Sequence, residues 1–188
     1  MSFLELYNSI LRTSIISYEA LPYPVQKVRF EKGMVITDYG QIEKSIYFLN
    51  SGIVEMAIKS YMSEKIIDFF YENDMLTSLT SFLTQQPSDV QMIALMDCEA
   101  EMISHEDLMN AYNNSFEANK LGRIVLEHAY LNKARREKDF LTLTAEERYA
   151  EMFRTHAKYI SNIPVNKIAK YLGIHPESLS RIRSKINS

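Results

Sequence analysis

The sequence predicts an α+β protein: an antiparallel jelly roll or barrel first, then a long helix, then a helical unit closing on two short helices. Three observations carry this. Between Val25 and Ile103 the segments VQKVRF, SIYFLN, IVEMAI, KIIDFF, VQMIAL and CEAEMI are short, β-branched and aromatic, with turn signals between them. From Ser104 onward apolar residues recur at three- and four-residue intervals, the period of a helix. Near the end, PVNKIAKYLGIHPESLSRIRSKI places a glycine between two short helical patterns.

The elements follow in order. Phe3, Leu4, Tyr7, Ile10 and Leu11 mark a helix within the first 20 residues or so. In the strand region the turn signals are EKG at 31–33, NSG at 50–52 and END at 72–74. NSG is the sharpest hairpin signal, because Gly52 can take the positive φ that a tight hairpin turn requires. On the long helix Leu121, Ile124, Val125, His128 and Leu131 share one face, and Leu126, Tyr130 and Ala134 another. Such a helix must cover two surfaces, one on its own barrel and one on a second copy of the chain. Leu121, Ile124, Val125, His128 and Leu131 are assigned to the dimer helix, with His128 a packed residue rather than a ligand. Thr144 and Glu147 form a Thr-x-x-Glu capping box, and Tyr149, Met152, Phe153, His156 and Ile160 the buried stripe of the helix it starts. KDFLTLT reads as the hinge before it. The expected units are 1–110 (barrel), 111–141 (dimerisation helix and hinge) and 142–188 (terminal helical unit).

Composition limits the function classes. Of 188 residues 46% are hydrophobic and 24% charged, which excludes a largely disordered chain. No stretch approaches the roughly 20 apolar residues of a membrane span, and no signal-type leader opens the chain, so a cytoplasmic location and no membrane partner are expected. Cys98 is the single cysteine, which rules out an intrachain disulfide or a thiolate metal cluster and reads as a buried structural thiol. From Thr142 to Ser188 there are eight basic and four acidic residues, a balance of +4, so the total of −3 leaves −7 for the remainder. A basic tail on an acidic body suits an anion-binding module.

The terminal motif specifies that anion. Pro164 suits the first position of a short helix, Ile168 and Leu172 face the core, and Ala169 allows a close helix crossing. Gly173 can end that helix in the left-handed conformation. Pro176 starts the second helix, with Leu179, Ile182 and Ile186 on its buried face. This is a helix-turn-helix, and its second helix meets base edges in the DNA major groove with its first half. Glu177, Ser178, Ser180 and Arg181 occupy that half; Arg can grip guanine and Glu can accept from cytosine. Lys167, Lys170, His175, Arg183 and Lys185 are assigned to phosphate, which positions the protein without reading sequence. Double-stranded DNA is therefore the expected partner, no catalytic residue is assigned, and neither metal nor cofactor is expected.

At these residues the chain resembles the Crp/Fnr family of catabolite-activator-type transcription regulators over nearly its whole length. The stretch FEKGMVITDYGQIEKSIYFLNSGIVEM is similar to the family's glycine-punctuated first strands, with Gly33, Gly40 and Gly52 at the turns. LGIHPESLSRIRSKI is similar to its recognition unit, most of all in the short forms of Bacteroidetes-type bacteria. The resemblance implies a cyclic-nucleotide-binding-like double-stranded β-helix (jelly-roll) barrel, a long dimerisation helix and a C-terminal winged helix-turn-helix. It also implies a homodimer on near-palindromic half-sites about 34 Å apart, with RNA polymerase a further candidate partner. The effector pocket departs from the cyclic-AMP-binding pattern. The positions matching its Gly-Glu-Leu and Arg-Ser segments are Thr77, Ser78 and Leu79, then Ser88 and Asp89. No Arg is there to hold a phosphate and Asp89 would repel one, so the pocket is read as degenerate and any small-molecule effector is unidentified. Two alternatives remain open. A cupin-like metalloenzyme would share the jelly roll, yet His105, His128, His156 and His175 all fall outside the expected strands. A protein-interaction module would keep the terminal motif without binding DNA.

Overall fold

A computed structural model of the chain describes residues 1–61 and 63–186, without the side chain of Ile186. Helix α1 (Phe3–Leu11) opens the chain, capped reciprocally by Ser2 and Glu5, and a 3₁₀ turn follows at Tyr18–Ala20. Eight strands come next: β1 (Gln26–Phe30), β2 (Val35–Thr37), β3 (Ser45–Ser51), β4 (Val54–Lys59), β5 (Glu64–Phe70), β6 (Met75–Leu76), β7 (Val90–Ala94) and β8 (Cys98–Ser104). A short helix α2 (Leu79–Thr84) lies between β6 and β7. The strands form two antiparallel four-stranded sheets, ordered β1-β8-β3-β6 and β2-β7-β4-β5. Leu49, Val54, Leu76, Met92, Ala94, Cys98 and Ala100 fill the core between them. This is the expected jelly roll.

NSG does not make a hairpin. β3 and β4 lie in different sheets, so Asn50, Ser51 and Gly52 turn the corner from one layer to the other. The positive φ is as expected, +111° at Gly52, but a second constraint acts there. A Cβ on Gly52 would sit 2.4 Å from Cys98 Sγ and 2.9 Å from Cys98 Cα. The hairpin of the second sheet is β4–β5, whose ladder is interrupted by a bulge between Met56 and Ala57.

Helices α3 (His105–Asn114) and α4 (Phe116–Thr142) follow the barrel, each with a serine N-cap. Phe3, Tyr7, Phe48, Leu108, Ala111, Ala118 and Leu121 join α1, α3 and the start of α4 to the first sheet. The capping box of Thr144 and Glu147 starts α5 (Ala145–Ile160) where expected. Of the stripe predicted for α5, Tyr149, Met152 and Ile160 are buried, whereas Phe153 is 40% exposed. His156 leaves helical geometry, at φ −132°, where its ring stacks on Tyr71 with centroids 4.0 Å apart.

Helices α6 (Val165–Leu172) and α7 (Pro176–Ile186) complete the described chain. Pro164 stands one position earlier than expected, as the N-cap of α6 rather than its first residue. Among the described residues no strand follows β8, so the wing implied by the family resemblance is absent from them. Nor do α5–α7 have a core of their own. Ile168, Leu172 and Leu179 share one buried cluster with Ile53, Ile66, Phe69 and Tyr71 of the barrel.

Candidate nucleic-acid interface

The turn between α6 and α7 is built by local chemistry. Gly173 takes φ +71°, ending α6 in the left-handed conformation, and the Ile174 N–H donates to the Ala169 carbonyl over 3.0 Å. The His175 carbonyl then accepts from the N–H groups of Ser178 (3.0 Å) and Leu179 (3.2 Å), which begins α7. Ala169 and Leu172 are buried against Leu179, which has no exposed surface, so the two helices cross on small and branched apolar groups. The cap and the crossing fix which side of α7 faces water.

That side is polar. Glu177, Ser178, Ser180 and Arg181 are all exposed. Among the described residues Arg181 has no ion-pair partner, and the Ser180 hydroxyl is only loosely held, donating to the Pro176 carbonyl over 3.2 Å. His175 is exposed, Arg183 half-buried, and Lys185 pairs with Glu146 at 3.2 Å.

The first helix is placed differently. Lys167 forms an ion pair with Glu55, a carboxylate only 1% exposed on β4. Lys170 pairs with Glu64 on β5 at 3.3 Å. Both lysines assigned to phosphate are therefore engaged with the barrel. Two further bridges have the same polarity, Arg136 to Asp68 at 2.8 Å and Lys158 to Glu72 at 3.0 Å. In all four the carboxylate belongs to the barrel and the cation to the helices. Sequence reading missed these partners because they lie far apart in the chain. The one available signal was Glu55 itself, a lone charge inside the apolar run IVEMAI.

Aromatic contacts and two arginines complete the seat of α6 on the barrel and its neighbouring helices. Phe69 packs on Tyr171 with centroids 5.3 Å apart, and Arg136 lies over the Tyr171 ring. Desolvation pushes His156 below the ordinary histidine range, helped by nearby Arg135. Arg148, also missed by sequence reading, donates to the carbonyls of Phe140 (3.0 Å), Leu143 (3.3 Å) and Leu172 (2.8 Å). It thereby ties the end of α4 to the end of α6.

The two other residue sets named from the sequence fall as follows. Thr77, Ser78 and Ser88 are buried, Leu79 is half-buried, and Asp89 is exposed. The hydroxyls of Thr77, Ser78 and Ser88 are satisfied internally: Ser78 and Ser88 hydroxyls lie 2.8 Å apart, and Thr77 donates to the Ser45 carbonyl at 2.9 Å. No arginine is among them. On α4, Leu121 is buried in its own chain's core with α1 and α3, and Val125 packs partly against it. Ile124 is half-buried, while His128 and Leu131 are exposed, so His128 is not packed within the single chain. The face left open carries Leu126 (39% exposed) and Tyr130 (71%), which line a groove of about 490 Å³ with Tyr112, Asn119, Gly122 and Arg123. Cys98 is buried, and burial raises its thiol pKa, as a structural thiol requires. Among the described residues no cluster of three or more metal-ligating side chains occurs, and no helix is long and apolar enough to cross a membrane.

Jelly roll, long helix and terminal helix-turn-helix together define the Crp/Fnr architecture. Residues 27–115 match the family model of the cyclic nucleotide-binding domain. Whole-chain likeness to solved structures agrees. FixK2 from Bradyrhizobium japonicum is 18% identical with a TM-score of 0.71, over 87% of this chain and 84% of that one. A protein from Eubacterium rectale described as a transcriptional regulator of the crp/fnr family is 16% identical with a TM-score of 0.70, over 87% and 78%. The c-di-GMP responsive global regulator CLP from Xanthomonas campestris is 16% identical with a TM-score of 0.67, over 87% and 86%. No curated protein sequence matches. The chain has the Crp/Fnr fold, as the resemblance of its sequence implies.

Proposed function

We propose that this protein is a dimeric, sequence-specific DNA-binding transcription regulator of the Crp/Fnr type, acting in the cytoplasm where the chromosome lies. The observation that carries this reading is the outer face of α7. Leu179 anchors the helix at zero exposure while Glu177, Ser178, Ser180 and Arg181 stand free in its first half. That half is the part of a recognition helix that meets base edges. Arg181 reads guanine, Glu177 accepts from cytosine, and Ser178 and Ser180 adapt to either. His175, Arg183 and Lys185 flank them as phosphate contacts, joined by Lys167 and Lys170 when these are released from their carboxylates.

The dimer uses the open face of α4. Leu126 and Tyr130 are one turn apart and exposed in the single chain, and a second α4 crossing there would cover both. The effector pocket is degenerate toward cyclic nucleotides, because the serine pair closes on itself and none of Thr77, Ser78, Leu79, Ser88 and Asp89 is a cation that could receive a phosphate. The division into a barrel (1–110), a dimerisation helix with hinge (111–141) and a DNA-binding unit (142–188) follows these roles.

Titrating the protein against mixed-sequence duplex at 50 and 200 mM salt tests the reading. Phosphate binding by five or more cations predicts an affinity loss on the order of 10³-fold between those salts, through counterion release. No detectable complex at 50 mM would sink it.

A further inference from the structure

We infer that Glu55 and Glu64 compete internally with DNA, holding Lys167 and Lys170 of α6 so that these lysines can meet phosphate only when the helix-turn-helix leaves the barrel. The inference rests on the DNA-binding reading above and adds a closed state to it.

The geometry of the seat supports a separable contact. On β4, Val54 and Met56 point into the core between the sheets, and Glu55 between them faces α6. One of its oxygens takes the Lys167 ammonium; the other, Oε2, is buried with no hydrogen-bond partner. The Tyr39 hydroxyl is buried beside the same carboxylates. It lies close enough to Glu64 and Glu55 for their charges to raise its pKa, to about 12, although burial is the larger cause. A contact kept only for stability would hold apolar groups here, because a buried ion pair with an unsatisfied oxygen gains little over well-packed hydrocarbon. The polar edge makes sense if α6 must also face water and phosphate.

The charge pattern points the same way. All four bridges across the seat set a barrel carboxylate against a helical cation, the arrangement a phosphate backbone would offer. Lys167 cannot serve Glu55 and a phosphate at once, since its side chain is only 27% exposed when paired. The apolar side of the seat, where Tyr71 meets His156 and Tyr159, lies beside α5 and serves as the pivot.

The test compares duplex affinity of the full-length protein with that of Glu55→Gln, Glu64→Gln and the double variant, using a mixed-sequence duplex at fixed salt. Glu31→Gln, on an exposed loop residue, controls for the change in net charge. Alongside, carbodiimide labelling of Glu55, read by mass spectrometry, reports whether the seat opens. The double variant is expected to bind about three- to tenfold tighter than Glu31→Gln, with Glu64→Gln alone giving the smaller share because its pair is half-exposed. Glu55, protected in the free protein, is expected to become reactive when duplex is bound. Equal affinities with Glu55 still protected in the complex would overturn the inference and leave DNA binding intact. Failure of every form, wild type included, to bind duplex would remove the DNA-binding reading and the inference together. The Glu64→Gln and wild-type labelling arms stand even if Glu55→Gln does not fold.

Discussion

Gly52 shows how a single position can carry two demands. Its φ of +111° is open to glycine and strained for any other residue, and the Cys98 backbone lies 2.9 Å from where a Cβ would stand. Gly52→Ala must shift the β3–β4 corner or the start of β8, at an expected cost of about 2–4 kcal/mol from overpacking and backbone strain combined. Chemical denaturation reads this directly, and an unchanged midpoint would contradict the packing described. Arg181 makes the complementary case, because removing an exposed side chain with no ion-pair partner among the described residues should leave stability alone. Arg181→Ala is expected to lose about 1–3 kcal/mol of affinity for a preferred duplex and to relax sequence preference at one base. Equal affinity for that duplex would remove Arg181 from base reading. Both positions stood out in the sequence, Gly52 for its turn and Arg181 for its place in PESLSRIR. The contact of Gly52 with Cys98 did not, because it joins residues brought together only when the sheets close.

At the scale of elements, most strands were legible because five to seven alternating or β-branched residues leave a pattern. β2 and β6 were not individually legible, since three residues and two residues are too few for a period. The β3–β4 corner was misread as a hairpin because NSG specifies a tight reversal and says nothing about which sheet receives the next strand. Capping residues were read more reliably, as the Thr144 and Glu147 box shows. The loop between β5 and β6 carries a testable pH effect. Burial raises the pKa of Asp74 from 3.8 to about 6, against the opposing pull of the hydrogen bond from the Tyr71 N–H. A carboxyl raised on folding favours the folded state at low pH, and that contribution is lost as pH rises from about 4 through about 6. Asp74→Asn keeps an acceptor for Tyr71 and cannot ionise. Its stability relative to wild type should therefore rise across pH 4–7, followed by denaturant midpoints; a constant difference over that range would contradict the burial of Asp74.

On the scale of the whole molecule, the order of barrel, long helix and helix-turn-helix was visible in the change from strand to helical periodicity. The relation between the parts was not. The face of α4 chosen for the dimer from periodicity included Leu121 and Val125, which pack in their own chain's core, because apolar spacing marks burial without naming the neighbour. The seating of α6 on β4 and β5 was equally hidden, since ion pairs such as Lys167 with Glu55 span more than a hundred residues. On the proposed reading, two copies joined through α4 present their α7 helices to successive turns of the major groove. Selection of bound fragments from a pool of random duplexes tests that claim most directly. The account predicts enrichment of a near-palindrome whose half-sites are centred about 34 Å apart, one helical turn. Recovery of fragments no different in sequence from the starting pool would contradict it.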